Sequence, residues 1–155
     1  MNCKIIILVL FSTTTKLWTN CTQIMKRCYI RNDELWYTDN PYRDKDRLAK
    51  LLTEKTFEPI VVYTAPRLVD VHKGSLRKYA IVDGNRRALV NAVRKRENTA
   101  HIIQTCTDLS VVLDRLVSDH ALKRQDVRTL ADLENALFRR MQELYQKGQP
   151  LFYDS

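Results

Sequence analysis

The sequence predicts a small α+β domain in which a mixed sheet of short strands packs with helices. Short apolar runs typical of buried strands, at residues 60–63 and 79–82, alternate with segments whose leucines recur at helical spacing. The chain has only three glycines and four prolines, which indicates regular elements joined by short turns. With 155 residues and 45% hydrophobic content, it is long enough to bury one proper core.

The first 24 residues differ from the rest of the chain. "MNCKIIILVLFSTTTKLW" places seven apolar residues after a lysine, a run that is short for a signal-peptide core and far too short to span a bilayer. We expect residues 1–24 to be an N-terminal extension, either a strand or a poorly packed, weakly signal-like segment, or to precede a working start at Met25. The domain proper is expected over residues 25–155, in the cytoplasm.

The next segment leads into the first helix. "CYIRNDELWYT" predicts two short strands around the turn at 31–33, or one strand and a loop. Asn40 and Pro41 break any regular element, so "DNPYRDKD" is expected to be a turn. "KDRLAKLLTEK" follows and predicts a helix, since its leucines 48, 51 and 52 fall at helical spacing.

Three further strands are predicted in the middle of the chain. Pro59 opens "EPIVVYTA", whose continuous apolar run suits a strand buried on both faces. "PRLVDVHKGSLRK" is polar and predicts an excursion on the surface. "YAIVDG" and "AHIIQTC" predict two more strands.

The remaining helices are predicted from their apolar faces, with the packing helices of the C-terminal part starting near residue 108. "DLSVVLDRLVSDHAL" predicts one long helix, and a capping box at Thr129 and Asp132 opens the last, which Gly148 and Pro150 stop. The junction between these two helices lacks the glycine turn of a DNA-reading helix pair. Inward-facing residues are expected at Ala88, Leu89, Ala92, Val93, Leu109, Val112, Leu113, Leu116, Val117, Leu130, Leu133, Leu137, Met141 and Leu144.

Composition favours an anionic partner and argues against a metal site. The net charge of +8 favours nucleic acid, a nucleotide or an acidic membrane surface; we expect nucleic acid or a nucleotide and no membrane, with a homodimer possible. The four cysteines contain no CxxC pair, and the three histidines are isolated from them and from one another. This spacing resembles neither a zinc site nor a disulfide framework.

The turn "VDGNRR" carries the main functional prediction. A strand that turns into a helix at Gly84 exposes backbone N–H groups to an anion, and Asp83 is expected to cap one of them. Arg86 and Arg87 would each be unfavourable in the first helical turn by about 0.3–1 kcal/mol. A bound phosphate would reverse that sign, because guanidinium groups grip phosphate oxygens in pairs. We therefore predict a phosphate cradle at Gly84, Asn85, Arg86 and Arg87.

An alternative needs no ligand at this turn. One arginine could pair with a carboxylate such as Asp44, Asp46 or Asp83, while the other is solvated. In the neighbouring "NPYR" turn, Arg43 could reach a phosphate and Tyr42 could stack on a base, although such aromatics more often close a core.

A second basic group closes the same helix. Arg94, Lys95 and Arg96 are cations at a helix C-terminus, where they are favourable without any ligand. Together with Lys73, Arg77 and Lys78 they could instead form a basic face that follows a nucleic-acid backbone.

The order "NPYR", a short helix, "FEPIVVY" and "YAIVDGNRRALVNA" resembles the N-terminal domain of the ParB/sulfiredoxin superfamily, of the ParB-like nuclease type, here in a stand-alone form. The resemblance covers about residues 29–106. It implies the fold of that family, with Gly84, Arg86 and Arg87 at the phosphates of CTP. Asn85 replaces the glutamate usual in the family's box, and the cysteine that sulfiredoxins need is absent from it.

The resemblance also leaves enzymatic readings open. Some relatives are nucleases and others phosphorylate small molecules, so Asp39, Asp44, Asp46 and Asp83 could supply a base beside the phosphate, with a divalent metal in a nuclease. Asp44, Asp46 and Asp83 could instead simply cap helices. CTP or ATP with Mg²⁺ would be the nucleotide. We predict a protein that binds a phosphate-bearing ligand, a nucleotide or a DNA backbone, in a DNA-associated role. The alternatives are a nuclease, a phosphotransferase or NTPase, and a non-catalytic interaction module.

Overall fold

Five short strands form one mixed sheet in the computed structural model, which describes residues 25–67 and 76–153. The order across the sheet is β1-β5-β3-β4-β2. The predicted extension at 1–24 and the central part of the predicted excursion at 66–78 lie outside the described residues. The strands are β1 (Lys26–Ile30), β2 (Leu35–Trp36), β3 (Ile60–Thr64), β4 (Tyr79–Asp83) and β5 (Asn98–Ile103).

In the described residues, helices lie between β2 and β3, between β4 and β5 and after β5, which confirms the predicted α+β class. A 3₁₀ turn separates β1 from β2, as the two-strand reading of "CYIRNDELWYT" requires. The helices are α1 (Lys45–Leu52), α2 (Asn85–Val93), α3 (Cys106–Arg115), α4 (Ala121–Arg124) and α5 (Leu130–Gln146).

The sheet is mixed because β3 pairs antiparallel with β4 and parallel with β5. Strand β1 is antiparallel to β5, and β2 is parallel to β4. The register of β3 against β4 shifts between Val61 and Val62, and Val61 lies opposite Asp83. This irregularity lies where β4 ends and the chain turns into α2, so the sheet directly positions the Gly84 turn.

The core has two parts, one on each face of the sheet, as expected for central strands buried on both faces. Neighbouring residues of β4 alternate between them: Ala80 and Val82 join one part and Ile81 joins the other. The first part also holds Leu109, Leu122, Leu133 and Leu137 from α3, α4 and α5. The second also holds Ile60, Val62, Ala88 and Leu89, from β3 and α2.

Two predicted core positions are wrong. Val93 is 65% exposed and Val117 is 63% exposed. The single helix predicted through 108–122 ends at Arg115, because the backbone of Leu116 is extended, and α4 is a separate short helix. The capping box of the last helix is confirmed: the Thr129 hydroxyl accepts from the N–H of Asp132, and the Asp132 carboxylate accepts from the N–H of Thr129.

Arg77 does not belong to a basic face. It is buried, and its guanidinium donates to the carbonyls of Asn32 (3.2 Å) and Leu35 (3.3 Å) beneath the ring of Phe152. The predicted surface of Arg77, Lys78 and Lys73 therefore loses its first member to the interior.

No helix in the described part of the chain is long and apolar enough to cross a bilayer.

Candidate functional site

A cavity of about 580 Å³ opens where β4 ends and α2 begins. The turn after β2, α1, α2, α5 and the segment from the end of α3 to α4 all contribute to its wall. Three aspartates and seven arginines line it, which gives the cavity a strong excess of positive charge. The arginines are Arg43, Arg47, Arg86, Arg87, Arg115, Arg124 and Arg140.

Gly84 makes the turn that opens α2. Its φ of 110° and ψ of 27° are left-handed, and it is the N-cap with no side-chain hydrogen bond to the helix. The prediction that Asp83 caps this helix is therefore wrong. The N–H of Ala88 reaches the Gly84 carbonyl at 2.9 Å, but within the described residues the N–H groups of residues 85–87 find no acceptor. The uncapped helix end faces the cavity and can accept an anion.

Arg87 is held by the protein itself. Its Nη2 lies 3.1 Å from Asp83 Oδ2, and its Nη1 donates to the carbonyls of Glu58 (3.2 Å) and Pro59 (3.1 Å). These contacts place Arg87 in the pairing foreseen by the ligand-free alternative. These contacts leave part of the Arg87 guanidinium beside the cavity. They also fix its position against the segment that leads into β3.

Arg86 has no such partner. It lines the cavity, and among the described residues no carboxylate or carbonyl bonds to its guanidinium. Its Nε is buried without a hydrogen-bond acceptor. A buried donor without an acceptor is costly. The side chain as a whole is half-buried, and the remainder of its guanidinium lies at the cavity.

The Asp83 carboxylate lies near the guanidinium of Arg87 and the imidazole of His120. Burial raises the pKa of its carboxyl, but the neighbouring His120 and Arg87 side chains outweigh burial and hold the pKa below its usual value. His120 Nε2 is 3.7 Å from Asp83 Oδ1, and its Nδ1 accepts the N–H of Leu122 at 3.2 Å. Asp83 is thus ionised and engaged, and both ring nitrogens of His120 face protein groups.

Asn85 fastens the turn after β2 to the start of α2. Its Oδ1 accepts the N–H groups of Thr38 (2.9 Å) and Asp39 (3.3 Å), and its Nδ2 faces Thr38 Oγ1 at 3.4 Å. The side chain predicted to belong to the phosphate cradle therefore builds the cavity wall. The backbone N–H of Asn85 has no acceptor among the described residues.

Asp39 joins two arginines from distant parts of the chain. Arg43 grips its carboxylate with both terminal nitrogens, at 2.6 and 2.5 Å, and Arg140 Nη2 lies 3.1 Å from Asp39 Oδ2. Arg140 Nε also donates to the carbonyl of Thr38 at 3.1 Å. The predicted ligand group Arg43 is thus neutralised by Asp39, and helix α5 reaches the cavity through Arg140.

Asp44 and Asp46 lie on the outer side of α1. The Asp44 side chain accepts the N–H of Arg47 at 3.1 Å and is the N-cap of α1, which was the non-catalytic role considered for it. Asp46 is exposed in the first turn. Both line a second cavity of about 620 Å³ that shares Arg43, Arg47 and Arg86 with the first.

Substitution of Asp44 tests its capping role. Asp44→Ala is expected to lower the free energy of unfolding by about 1 kcal/mol, because an N–H of the first turn of α1 loses its acceptor. Asp46→Ala is the matched control and should change stability by less than about 0.5 kcal/mol. Urea denaturation measures both, and equal effects at the two positions would contradict the capping assignment.

The predicted nucleic-acid residues lie at the other end of α2. Helix α2 spans nine residues, so Arg94 is about 13 Å from the Gly84 turn at 1.5 Å per residue. Arg94 donates to the carbonyls of Glu54 (2.7 Å) and Leu52 (2.8 Å), and Arg96 donates to that of Lys55 (3.1 Å). These two guanidiniums hold the segment between α1 and β3.

The other two residues predicted to bind nucleic acid, Lys95 and Tyr42, are exposed. Lys95 has a positive φ of 56° and is exposed. Tyr42 is 44% exposed and packs edge-on against Tyr153, with ring centroids 6.0 Å apart. Tyr42 is outside the group of residues that line the cavity.

The sequence reasoning missed half of the cavity wall. Arg115, His120 and Arg124 were assigned to a packing helix and its junction, and Arg140 to the last packing helix. The one usable signal was the density of charge in "DRLVSDHALKR", which is high for a helix pair that only packs.

The chain matches no protein-family model, and no curated protein is significantly similar to it. Within residues 25–67 and 76–153, no group of three or more histidine, cysteine, aspartate or glutamate residues could hold a metal ion. The geometry and charge of the cavity are therefore the basis for assigning a function.

Proposed function

We propose that this chain binds a phosphate-bearing ligand, a nucleotide in preference to a DNA backbone, at the Gly84–Arg87 turn. The ligand's phosphate would accept the N–H groups of residues 85–87 and the guanidinium of Arg86. The fold we propose is that of the ParB/sulfiredoxin superfamily, and the role DNA-associated, on the resemblance of residues 29–106 alone.

The observation that carries the proposal is the buried, unpartnered Nε of Arg86 beside an uncapped helix end in an arginine-rich cavity. Each of these groups is unfavourable without an anion: the donor lacks an acceptor, and the cation is next to the positive end of a helix dipole. A phosphate satisfies all of them at once, because it is negative and accepts several hydrogen bonds.

The shape of the site favours a small molecule over a duplex. Ligand pockets commonly have volumes of about 300–1,000 Å³, and this cavity has about 580 Å³. Its lining is mostly charged and polar, with Leu51, Leu116 and Val117 as its larger apolar side chains. A DNA backbone would instead suit an exposed row of cations. The candidates for such a row, Arg94 and Arg96, are engaged with backbone carbonyls.

The proposal is for binding and assigns no turnover. Asp83 is engaged by Arg87 and His120, Asp39 by Arg43 and Arg140, and Asp44 by the start of α1. A nuclease or phosphotransferase would need a carboxylate as a base or metal ligand. Among the described residues that line the two cavities, only Asp119 and Asp46 have carboxylates without an ion pair or hydrogen bond. Any Mg²⁺ that accompanies CTP or ATP would be held mainly through the phosphates of the nucleotide.

Calorimetric titration tests the proposal directly. CTP, ATP and a short DNA duplex would each be titrated with and without Mg²⁺, and the thermal unfolding of each mixture recorded. A nucleotide that binds should stabilise the chain by about 2.7 kcal/mol at a hundredfold excess over its Kd. Salt-sensitive binding of DNA with no effect of nucleotides would favour the backbone alternative. No interaction with either would leave a non-catalytic interaction module and overturn the proposal.

A further inference from the structure

We infer that the ligand of this cavity carries a second anionic group, separated from the first by an uncharged spacer, and that Arg115 and Arg124 bind it. The inference rests on the proposed function of the Gly84 turn. The ligand class is a nucleoside with phosphates on two different oxygens of its sugar, or a dinucleotide with the same spacing.

The cations of the cavity fall into two kinds. Arg43, Arg47, Arg87 and Arg140 each have a carboxylate partner, at Asp39, Asp44 or Asp83. Within the part of the chain that the structure describes, the guanidiniums of Arg86, Arg115 and Arg124 have no carboxylate within ion-pair distance. Asp39 is shared by Arg43 and Arg140, so the four paired arginines keep one positive charge in excess, and Arg86, Arg115 and Arg124 supply the charge that has no described carboxylate beside it.

The three unneutralised arginines belong to three different helices. Arg86 is in the first turn of α2, whereas Arg115 ends α3 and Arg124 ends α4. Arg124 Nη1 donates only to the carbonyl of Asp119, at 2.7 Å, which leaves its other N–H groups available. The Asp119 carboxylate also lines the cavity, so this wall holds two cations and one anion.

Apolar side chains accompany the second pair of cations. Leu116, Val117 and Ala121 lie between Arg115 and Arg124 in the sequence and line the same cavity. A sphere of 580 Å³ is about 10 Å across, well beyond the size of one phosphate. The combination suits a ligand whose uncharged middle contacts apolar side chains while its ends are anionic.

Binding of three adenosine ligands tests the inference. The probes are adenosine 5′-monophosphate, the 5′-diphosphate, whose phosphates are contiguous, and the 3′,5′-bisphosphate, whose phosphates are separated by the sugar. The bisphosphate should bind about tenfold more tightly than either of the others, since only it offers an anion to both groups of arginines. The dinucleotide pApA, as a fourth probe, distinguishes an oligonucleotide source from a free nucleotide.

Single substitutions localise the second group. Arg124→Ala should weaken the bisphosphate about tenfold and leave the monophosphate unchanged, and Arg115→Ala should act in the same direction. Arg128→Ala is the control, because Arg128 is exposed, pairs with Asp126 and lies outside the cavity lining. Circular dichroism of each variant checks that it folds.

The failures of the two proposals are distinguishable. A diphosphate that binds as tightly as the bisphosphate, or an Arg124→Ala variant that affects all ligands alike or none, overturns the inference. The proposed function stands in those cases if Arg86→Ala still weakens binding. If none of the four probes binds the unchanged protein, the inference is wrong, and the titrations with CTP, ATP and DNA decide the proposed function separately.

Discussion

Gly84→Ala is expected to lower the free energy of unfolding by about 2–5 kcal/mol, from backbone strain and overpacking together. At φ 110° an L-residue is strained whatever the space around it. Its Cβ would also stand 2.7 Å from Ile60 Cγ2 and 3.0 Å from Arg87 Nη2. Ile60 is fully buried in the centre of the sheet and has no room to withdraw.

Gly148→Ala is the matched control for this substitution. Gly148 also has a positive φ, of 74°, but a Cβ there would meet nothing within 4 Å. It should therefore cost only the backbone term, about 1–2 kcal/mol. Thermal unfolding should show a fall of about 2–4 °C per kcal/mol in a chain of this length. Equal losses in the two variants would mean that the contact with Ile60 does not constrain the turn.

Arg86→Ala is expected to weaken binding of a phosphate-bearing ligand about 10- to 100-fold while leaving the stability of the free protein unchanged or slightly higher. The affinity falls because charge-assisted hydrogen bonds to the phosphate, worth about 1.5–3 kcal/mol, are lost. Stability does not fall, because no described residue loses a hydrogen bond and a buried donor without an acceptor is removed. Isothermal titration with CTP and ATP, with thermal unfolding of the free variant, measures both quantities.

Two further variants sharpen this test. Arg86→Lys keeps the charge but cannot bond to phosphate through two parallel N–H groups, so its affinity should fall between those of the unchanged protein and Arg86→Ala. Arg87→Ala should behave differently, because it breaks the contacts with Asp83, Glu58 and Pro59 and so lowers stability as well. If Arg86→Ala binds every tested phosphate ligand as well as the unchanged protein, the cradle is not at this turn.

Local patterns were enough to predict most secondary structure. The apolar runs at 60–63 and 79–82 became β3 and β4, and the box at Thr129 and Asp132 became the start of α5. These features are readable because period and capping depend on residues close together in the chain. The end of α3 was not readable, since the apolar pattern continues to Val117 while the backbone already turns at Leu116.

The candidate site was predictable only in its centre. The strand-turn-helix pattern at "VDGNRR" indicated a turn at Gly84 followed by two arginines, and all three residues line the cavity. Which of the two arginines pairs within the protein was not predictable, because the pairing of Arg87 depends on the carbonyls of Glu58 and Pro59, in the segment before β3. Arg140 reaches Thr38 from 102 residues away, a contact that no local pattern contains.

The sequence by itself determined the α+β class, the positions of β3, β4 and α5, and the position of the turn, because each follows from local spacing and backbone preference. Only the tertiary structure decided which guanidiniums are neutralised and which remain for a ligand. Ion pairing depends on the distance between side chains from separate elements. That distance is set by how the helices pack on the sheet, and here it leaves Arg86, Arg115 and Arg124 without carboxylate partners among the described residues.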